Sequence, residues 1–101
     1  MDTPKWVERV NAATTTDEVV RIVNEYVESR DRAVLAILPV ECQITPMRTA
    51  DEISDCAYRL AVYHGHGDLT RTVQKLGAFF TRASVRIAEI AHETRTKQAG
   101  S

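Results

Sequence analysis

The chain has 101 residues, of which 44% are hydrophobic and 27% are charged. This length suits one domain whose single core needs no metal or disulfide, and the composition is that of a globular protein, not of a disordered one. Thirteen basic and fourteen acidic residues give a formal net charge of −1. This balance argues against binding to nucleic acid through overall charge.

The N-terminus and the longest apolar run predict a cytoplasmic protein with no membrane span. No apolar segment typical of a signal peptide follows the first residues, and the apolar run at 33–40 is far shorter than the roughly 20 residues that cross a bilayer. Because cytoplasmic proteins keep their thiols reduced, we expect Cys42 and Cys56 to be free. Cys42 falls in a predicted loop and is the candidate for a reactive thiol, whereas Cys56 falls on a core-facing stripe.

Helical periodicity recurs along the chain and predicts an all-α bundle of four or five helices. Pro4 marks the start of a short first helix, which can be stable only if Trp6 docks on the rest of the bundle. A capping box formed by Thr15 and Glu18 then predicts an amphipathic helix over 17–29.

The segment after this helix is predicted to contain one short helix and a loop. The apolar run at 33–38 indicates a short buried helix, since alanine and leucine dominate it and no partner strand is evident. It should end before Pro39, because the residue before a proline disfavours helical geometry. Residues 39–48 contain two prolines and predict an ordered loop.

The C-terminal part is predicted to form an antiparallel helical hairpin. A second capping box, beginning at Thr49, predicts a helix over 50–64, and the apolar stripe that follows predicts a last helix over 69–94. The short connection between them favours antiparallel packing, with Gly65 as the positive-φ residue that ends the first helix.

The length of the last helix predicts a homodimer. At roughly 39 Å it exceeds its neighbours by roughly 15 Å, and its apolar stripe continues to the end. A second copy, or an unknown protein partner, would cover the exposed patch. The predicted domain spans 1–95, and 96–101 form a disordered tail. The candidate interface residues are Phe79, Ala83, Ile87 and Ile90.

Three side chains in the predicted turn are of types that bind transition metals, namely His64, His66 and Asp68. The turn explains them without a metal, because Asp68 can cap the last helix and His64 lies near a helix C-terminus, where positive charge is favourable. His92 lies roughly 36 Å further along one helix and cannot complete a site. We therefore expect no bound metal and no other cofactor.

Four basic residues form the most organised polar feature, since they lie within about 60° of one another around the last helix. Such a stripe can track a phosphate backbone, which makes a nucleic-acid-associated regulator the alternative function. However, Glu89 and Glu93 continue the stripe and would pair with Arg86, and no aromatic residue interleaves with the bases. These features favour a solvated face. The four residues are Arg71, Lys75, Arg82 and Arg86.

Residues 59–64 have the form Arg-x4-His, which resembles the catalytic motif of HEPN-type RNases, a family of helical bundles that can act on RNA at a dimer interface. The resemblance covers two residues and implies Arg59 and His64 as a catalytic pair. A five-residue step places them roughly 140° apart on a straight helix. A small helical RNase or hydrolase is therefore the third interpretation, and a non-catalytic interaction and oligomerisation module is the first.

Overall fold

A computed structural model describes residues 3–63 and 69–99. These residues contain no β-strand, so the predicted all-α class is confirmed. They form five α-helices, with a 3₁₀ turn at Val40–Cys42 between the third and the fourth. The helices are α1 (Thr3–Ala12), α2 (Thr16–Ser29), α3 (Arg32–Ala36), α4 (Ala50–Ala61) and α5 (Leu69–Ala99).

Threonine caps begin α2 and α4, as the two capping boxes predict. The hydroxyl of Thr15 accepts a hydrogen bond from the backbone N–H of Glu18 at 3.1 Å, and Thr49 caps α4 in the same way. In a standard capping box the glutamate also accepts a hydrogen bond from the N–H of the capping residue. Here the Glu18 carboxylate accepts instead from the backbone N–H of the preceding residue, Thr14, at 3.2 Å. Each box thus satisfies a helix-terminal donor that would otherwise lack a partner.

A chain of aromatic rings joins α1, α2 and α5 in the core. The rings of Tyr26 and Phe79 are stacked with their centroids 3.8 Å apart, and Trp6 meets Tyr26 edge-on at 5.8 Å. Phe79 in turn meets Phe80 edge-on at 5.9 Å. Offset and edge-to-face pairs of this kind add to the stability that burial of the rings provides. Trp6 therefore anchors the short first helix, as its length requires.

Helix α4 makes its most extensive contact with α5. The hydroxyl oxygens of Ser54 and Ser84 are 2.8 Å apart, and a Cβ atom added to Gly77 would lie 3.3 Å from the Cβ of Leu60. The paired residue numbers rise on one helix as they fall on the other, so the helices run antiparallel. Gly77 lets the two backbones approach closely. The predicted turn at 64–68, with its glycine cap, lies outside the described residues.

Both helices of this pair end at residues other than those predicted. Helix α4 ends at Ala61 instead of residue 64, with the N–H of Val62 making a last bond to the carbonyl of Tyr58 at 3.0 Å. Helix α5 continues to Ala99, five residues beyond its predicted end. Residues 95–99 contain neither glycine nor proline, so nothing in them interrupts a helix. The predicted C-terminal tail is therefore helical as far as Ala99.

The predicted buried helix at 33–38 is shorter and more exposed than expected. The carboxylate of Asp31 accepts a hydrogen bond from the N–H of Ala33 at 2.9 Å, and this cap begins α3, a helix with no buried residue. Ile37 is exposed, and only Leu38 of the run enters the core. A five-residue helix has little more than one turn, so it cannot turn all its apolar side chains towards the core.

The loop that precedes α4 is ordered, as predicted. The side-chain amide of Asn24 donates to the carbonyl of Met47 and accepts from its N–H, both at 2.7 Å. Met47 is buried, and Gln43 donates from Nε2 to the carbonyl of Leu38 at 2.6 Å. These bonds fix the loop on α2 and so position the start of α4.

Candidate functional site

The dimer interface predicted on α5 is buried inside the chain. Phe79 and Ala83 are both 0% exposed, Ile90 is buried, and Ile87 packs half-buried against the same core. Helices α1 and α2 both pack on α5, and Tyr26 covers Phe79. Together, α1 and α2 cover the apolar stripe of α5, although each of them is much shorter than α5. Three of these residues belong to the core and Ile87 packs against it, so a second copy would have to contact mainly other side chains.

Two arginines of the predicted basic stripe fasten α1 to α5. The guanidinium of Arg86 donates to the carbonyl of Ala13 from Nη2 at 2.8 Å and from Nε at 3.2 Å. Ala13 directly follows α1, where helix carbonyls lack partners and carry partial negative charge. Arg82 donates from Nε to the side-chain oxygen of Asn11 at 2.6 Å. Both arginines therefore have structural roles.

The acidic residues that continue the stripe neutralise the same two arginines. Glu89 accepts from Arg82 at 3.0 Å and from Arg86 at 3.3 Å, and Glu93 lies 3.4 Å from Arg86. This confirms the predicted pairing of both acids with Arg86. Charge that is paired inside the chain contributes little attraction for a phosphate backbone.

Arg71 and Lys75 form the other half of the stripe and differ from the first half. Both side chains are exposed, and neither forms a salt bridge with another described residue. The stripe that appears uniform in sequence thus divides into an engaged pair, Arg82 and Arg86, and an exposed pair, Arg71 and Lys75.

Lys75 borders a cleft of about 300 Å³ between the end of α2, α3 and α5. Its lining includes Tyr26 and Leu76, which are almost completely buried, and the half-buried Val34 and Leu35 of α3. The polar residues of the lining are Ser29, Arg30, Asp31, Thr72 and Lys75.

The arginine on the rim of this cleft is held in place. The guanidinium carbon of Arg30 lies 4.5 Å from the ring centroid of Tyr26, in a cation–π contact. Its Nε and Nη2 atoms donate to the hydroxyl of Ser29 at 3.2 and 3.0 Å. The Ser29 hydroxyl donates in turn to the carbonyl of Tyr26 at 2.6 Å. The guanidinium of Arg30 is therefore held over the ring of Tyr26.

Helix α4 carries exposed apolar side chains on the side that points away from the core. Tyr58 is 67% exposed, and Val62 lies one turn later on the same side. Asp55 and Arg59, which form an ion pair at 3.0 Å, flank these two residues. We call the surface formed by Asp51, Asp55, Tyr58 and Val62 the outer face of α4.

Further exposed hydrophobic residues lie in the segment beside α4. Ile37 and Val40 are exposed, the latter by 85%, and the 3₁₀ turn that begins at Val40 contacts α4. Arg59 fixes this segment by donating from Nη1 to the carbonyl of Gln43 at 3.1 Å. Exposed apolar surface therefore occurs on α4 and its neighbouring segment, where the sequence analysis did not place an interface.

Both cysteines are free, as expected, and both are buried. Burial is the main cause that raises the pKa of Cys56 to about 11, while Arg59 offsets part of the rise and Asp55 and Cys42 add to it. Such a thiol stays protonated at neutral pH and is a poor nucleophile. Cys42, the predicted reactive thiol, is inaccessible, because the 3₁₀ turn directs it into the core.

The predicted turn residues His64, His66 and Asp68 lie outside the described residues, so their assignment to a turn without metal stays a prediction. The same holds for the pairing of Arg59 with His64. Within residues 3–63 and 69–99, no three His, Cys, Asp or Glu side chains are grouped closely enough to hold a metal ion.

No protein-family model, curated protein or solved structure matches the chain significantly. None of the helices in the described part of the chain is long and apolar enough to cross a membrane. The surface itself is therefore the basis for a functional proposal.

Sequence reasoning missed Arg30 and the outer face of α4. Tyr58 and Val62 are apolar residues four positions apart, on the side opposite the predicted core stripe. That spacing is a signal of an exposed apolar surface. Arg30 offered no comparable signal, since its place in the lining of the cleft depends on how α2 packs against α5.

Proposed function

We propose that this chain is a non-catalytic interaction module that forms a homodimer through the outer face of α4. The supporting observation is the exposure of Tyr58, a large aromatic residue, beside Val62. Tyrosine is one of the residue types that most often supply the binding energy of interfaces. Adjoining apolar residues on a surface commonly mark a site of association.

Symmetry favours a second copy as the partner, because two-fold dimers are the commonest oligomers. A two-fold axis across α4 makes the two copies of the helix antiparallel. The helix dipoles are then antiparallel as well. The net charge of −1 adds little repulsion.

Light scattering on three proteins tests this proposal. We expect the unmodified protein to have about twice the chain mass of 11.3 kDa and Tyr58→Lys to have the chain mass, because the lysine buries a charge at the interface. Val85→Lys is the matched control, since Val85 is also an exposed hydrophobic residue but lies on α5. It should remain a dimer.

Circular dichroism checks that all three proteins keep the same helical content. Both substitutions replace exposed side chains, so neither should unfold the chain. A chain-sized mass for the unmodified protein at every concentration contradicts the proposal. Equal dissociation by the two lysine variants also contradicts it, because the loss would then reflect added charge instead of the position on α4.

The engaged arginine pair weakens the case for the alternative, a nucleic-acid-associated regulator. Arg82 and Arg86 are committed to α1 and to Glu89, which leaves Arg71 and Lys75 as the exposed cations of the stripe. Two phosphate contacts provide far less affinity than the six to ten of a typical DNA-binding protein. We therefore favour the interaction module.

A further inference from the structure

We infer that the dimer interface extends from the outer face of α4 onto the 3₁₀ turn at Val40–Cys42, where the second copy covers the side chain of Val40. The inference rests on the proposed dimer and names a second element of the same interface. It assigns a role to an aliphatic side chain that is 85% exposed, more than any other large hydrophobic residue in the described part of the chain.

The turn that carries Val40 is anchored on both sides of this residue. Leu38 and Cys42 are buried in the core, and the N–H of Cys42 donates to the carbonyl of Pro39 at 2.8 Å. Gln43 donates from its backbone N–H to the carbonyl of Val40 at 3.3 Å and from Nε2 to the carbonyl of Leu38 at 2.6 Å. Because the turn is already fixed, covering Val40 costs little additional ordering of the backbone.

Arg59 connects this turn to the outer face of α4. Its Nε lies 3.0 Å from the carboxylate of Asp55, a residue of the outer face, and its Nη1 donates to the carbonyl of Gln43 at 3.1 Å. One planar guanidinium thus joins the outer face to the residue that directly follows the turn. The turn also contacts α4 itself. A second copy that packs on the outer face therefore lies next to the turn.

The small size of the outer face supports an interface that reaches beyond α4. A helix of 12 residues is roughly 18 Å long and about 10 Å wide. A stable interface commonly buries roughly 800 Å² of each partner, which is more than one face of such a helix offers. Helix α5 also adjoins α4, but its exposed hydrophobic residue, Val85, is 44% exposed against 85% for Val40. The turn is therefore the better source of the additional surface.

Sedimentation of the unmodified protein and of three lysine variants tests the inference. We expect Val40→Lys to raise the dissociation constant of the dimer by at least about tenfold, because each symmetric dimer loses two apolar contacts and gains two charges at the interface. Val85→Lys should change it by less than about twofold, since it adds the same charge outside the interface. Tyr58→Lys should abolish the dimer. Circular dichroism should show equal helical content in all four proteins, because every substitution replaces an exposed side chain.

Amide spectra of the ¹⁵N-labelled protein give an independent readout. On dilution of the unmodified protein, the backbone signals of Val40 and Gln43 should shift together with that of Tyr58. The signals of Val40 and Gln43 should not change on dilution of Tyr58→Lys, which is a monomer throughout.

Two results would overturn the inference while the dimer through α4 stands. In one, Tyr58→Lys dissociates but Val40→Lys behaves like Val85→Lys. In the other, the amide signal of Tyr58 shifts on dilution and that of Val40 does not. A chain-sized mass for the unmodified protein at every concentration would overturn the dimer itself and this inference with it.

Discussion

The apolar stripe of α5 is buried in this fold, whereas the outer face of α4 is exposed to solvent. The stripe contains Phe79 and Ala83, which are completely buried under α1 and α2. The outer face contains Tyr58, which remains mostly exposed on a helix of 12 residues, less than half the 31 of α5. Apolar character alone therefore does not identify an interface in a helical bundle. An apolar surface is left free for association only where no other element of the same chain packs over it.

Hydrogen bonds at the C-terminal end of α1, which we call the clasp, help to keep the stripe of α5 buried. Arg86 and Arg82 hold the C-terminal end of α1 on α5 through Ala13 and Asn11, which keeps the stripe covered. No described element covers Tyr58 to the same extent.

Phe79→Ala should lower the free energy of unfolding by about 3–5 kcal/mol, because it removes a buried ring that stacks on Tyr26. Val85→Ala, an exposed position on the same helix, should change it by less than about 0.5 kcal/mol. Urea denaturation followed by circular dichroism measures both. A Phe79→Ala variant as stable as Val85→Ala would mean that the stripe is not covered.

Arg86→Ala should lower the free energy of unfolding by about 2–3 kcal/mol, since it leaves the carbonyl of Ala13 without its two donors. Arg71→Ala removes the same charge from an exposed position of the same stripe and should cost less than about 0.5 kcal/mol. The same denaturation assay applies. Equal losses would show that the stripe is uniform and that no clasp exists.

The inner side of α4 should respond to alkaline pH. Burial raises the pKa of Cys56 from 9.0 to about 11, so the folded state retains the thiol proton longer than the unfolded state does. The stability from this thiol is complete below pH 9 and is lost as the pH rises through about 11, with a magnitude on the order of 2–3 kcal/mol.

Denaturation between pH 8 and 11 measures this loss, with Cys56→Ala as the control. The arginines of the clasp stay charged over this range, so they contribute no slope of their own. The variant should lose less stability than the unmodified protein over the same interval. Identical slopes in the two proteins would show that the Cys56 thiol does not carry the effect.

Tyr58→Ala should change the stability of the monomer by less than about 0.5 kcal/mol, because most of its side chain is already in water. The measurement is made at a concentration where the unmodified protein is dissociated. A loss comparable with that of Phe79→Ala would place Tyr58 in the core instead of on an interface.

Much of the fold follows from local sequence signals. The threonines at 15 and 49 predict the starts of α2 and α4 because an N-cap bond spans only three residues. Only Leu38 of the apolar run at 33–38 enters the core, contrary to the prediction of a buried helix, because burial of a short segment depends on its neighbours. A local cap at Asp31 instead fixes α3 on the surface.

The candidate sites were less predictable because their contacts join distant parts of the chain. Arg86 and Ala13 are 73 residues apart, and no local pattern reveals that bond. Arg30 and Lys75 line the same cleft only after α2 has packed on α5. Sequence spacing identified the basic stripe, but only the tertiary contacts separate its engaged pair from its exposed pair.

Sedimentation of the unmodified protein over a dilution series is the most direct test of the proposed dimer. We expect a mass that rises from 11.3 kDa at high dilution to about twice that value at micromolar concentration, because two copies associate reversibly. A mass that stays at 11.3 kDa throughout the series would contradict self-association through the outer face of α4.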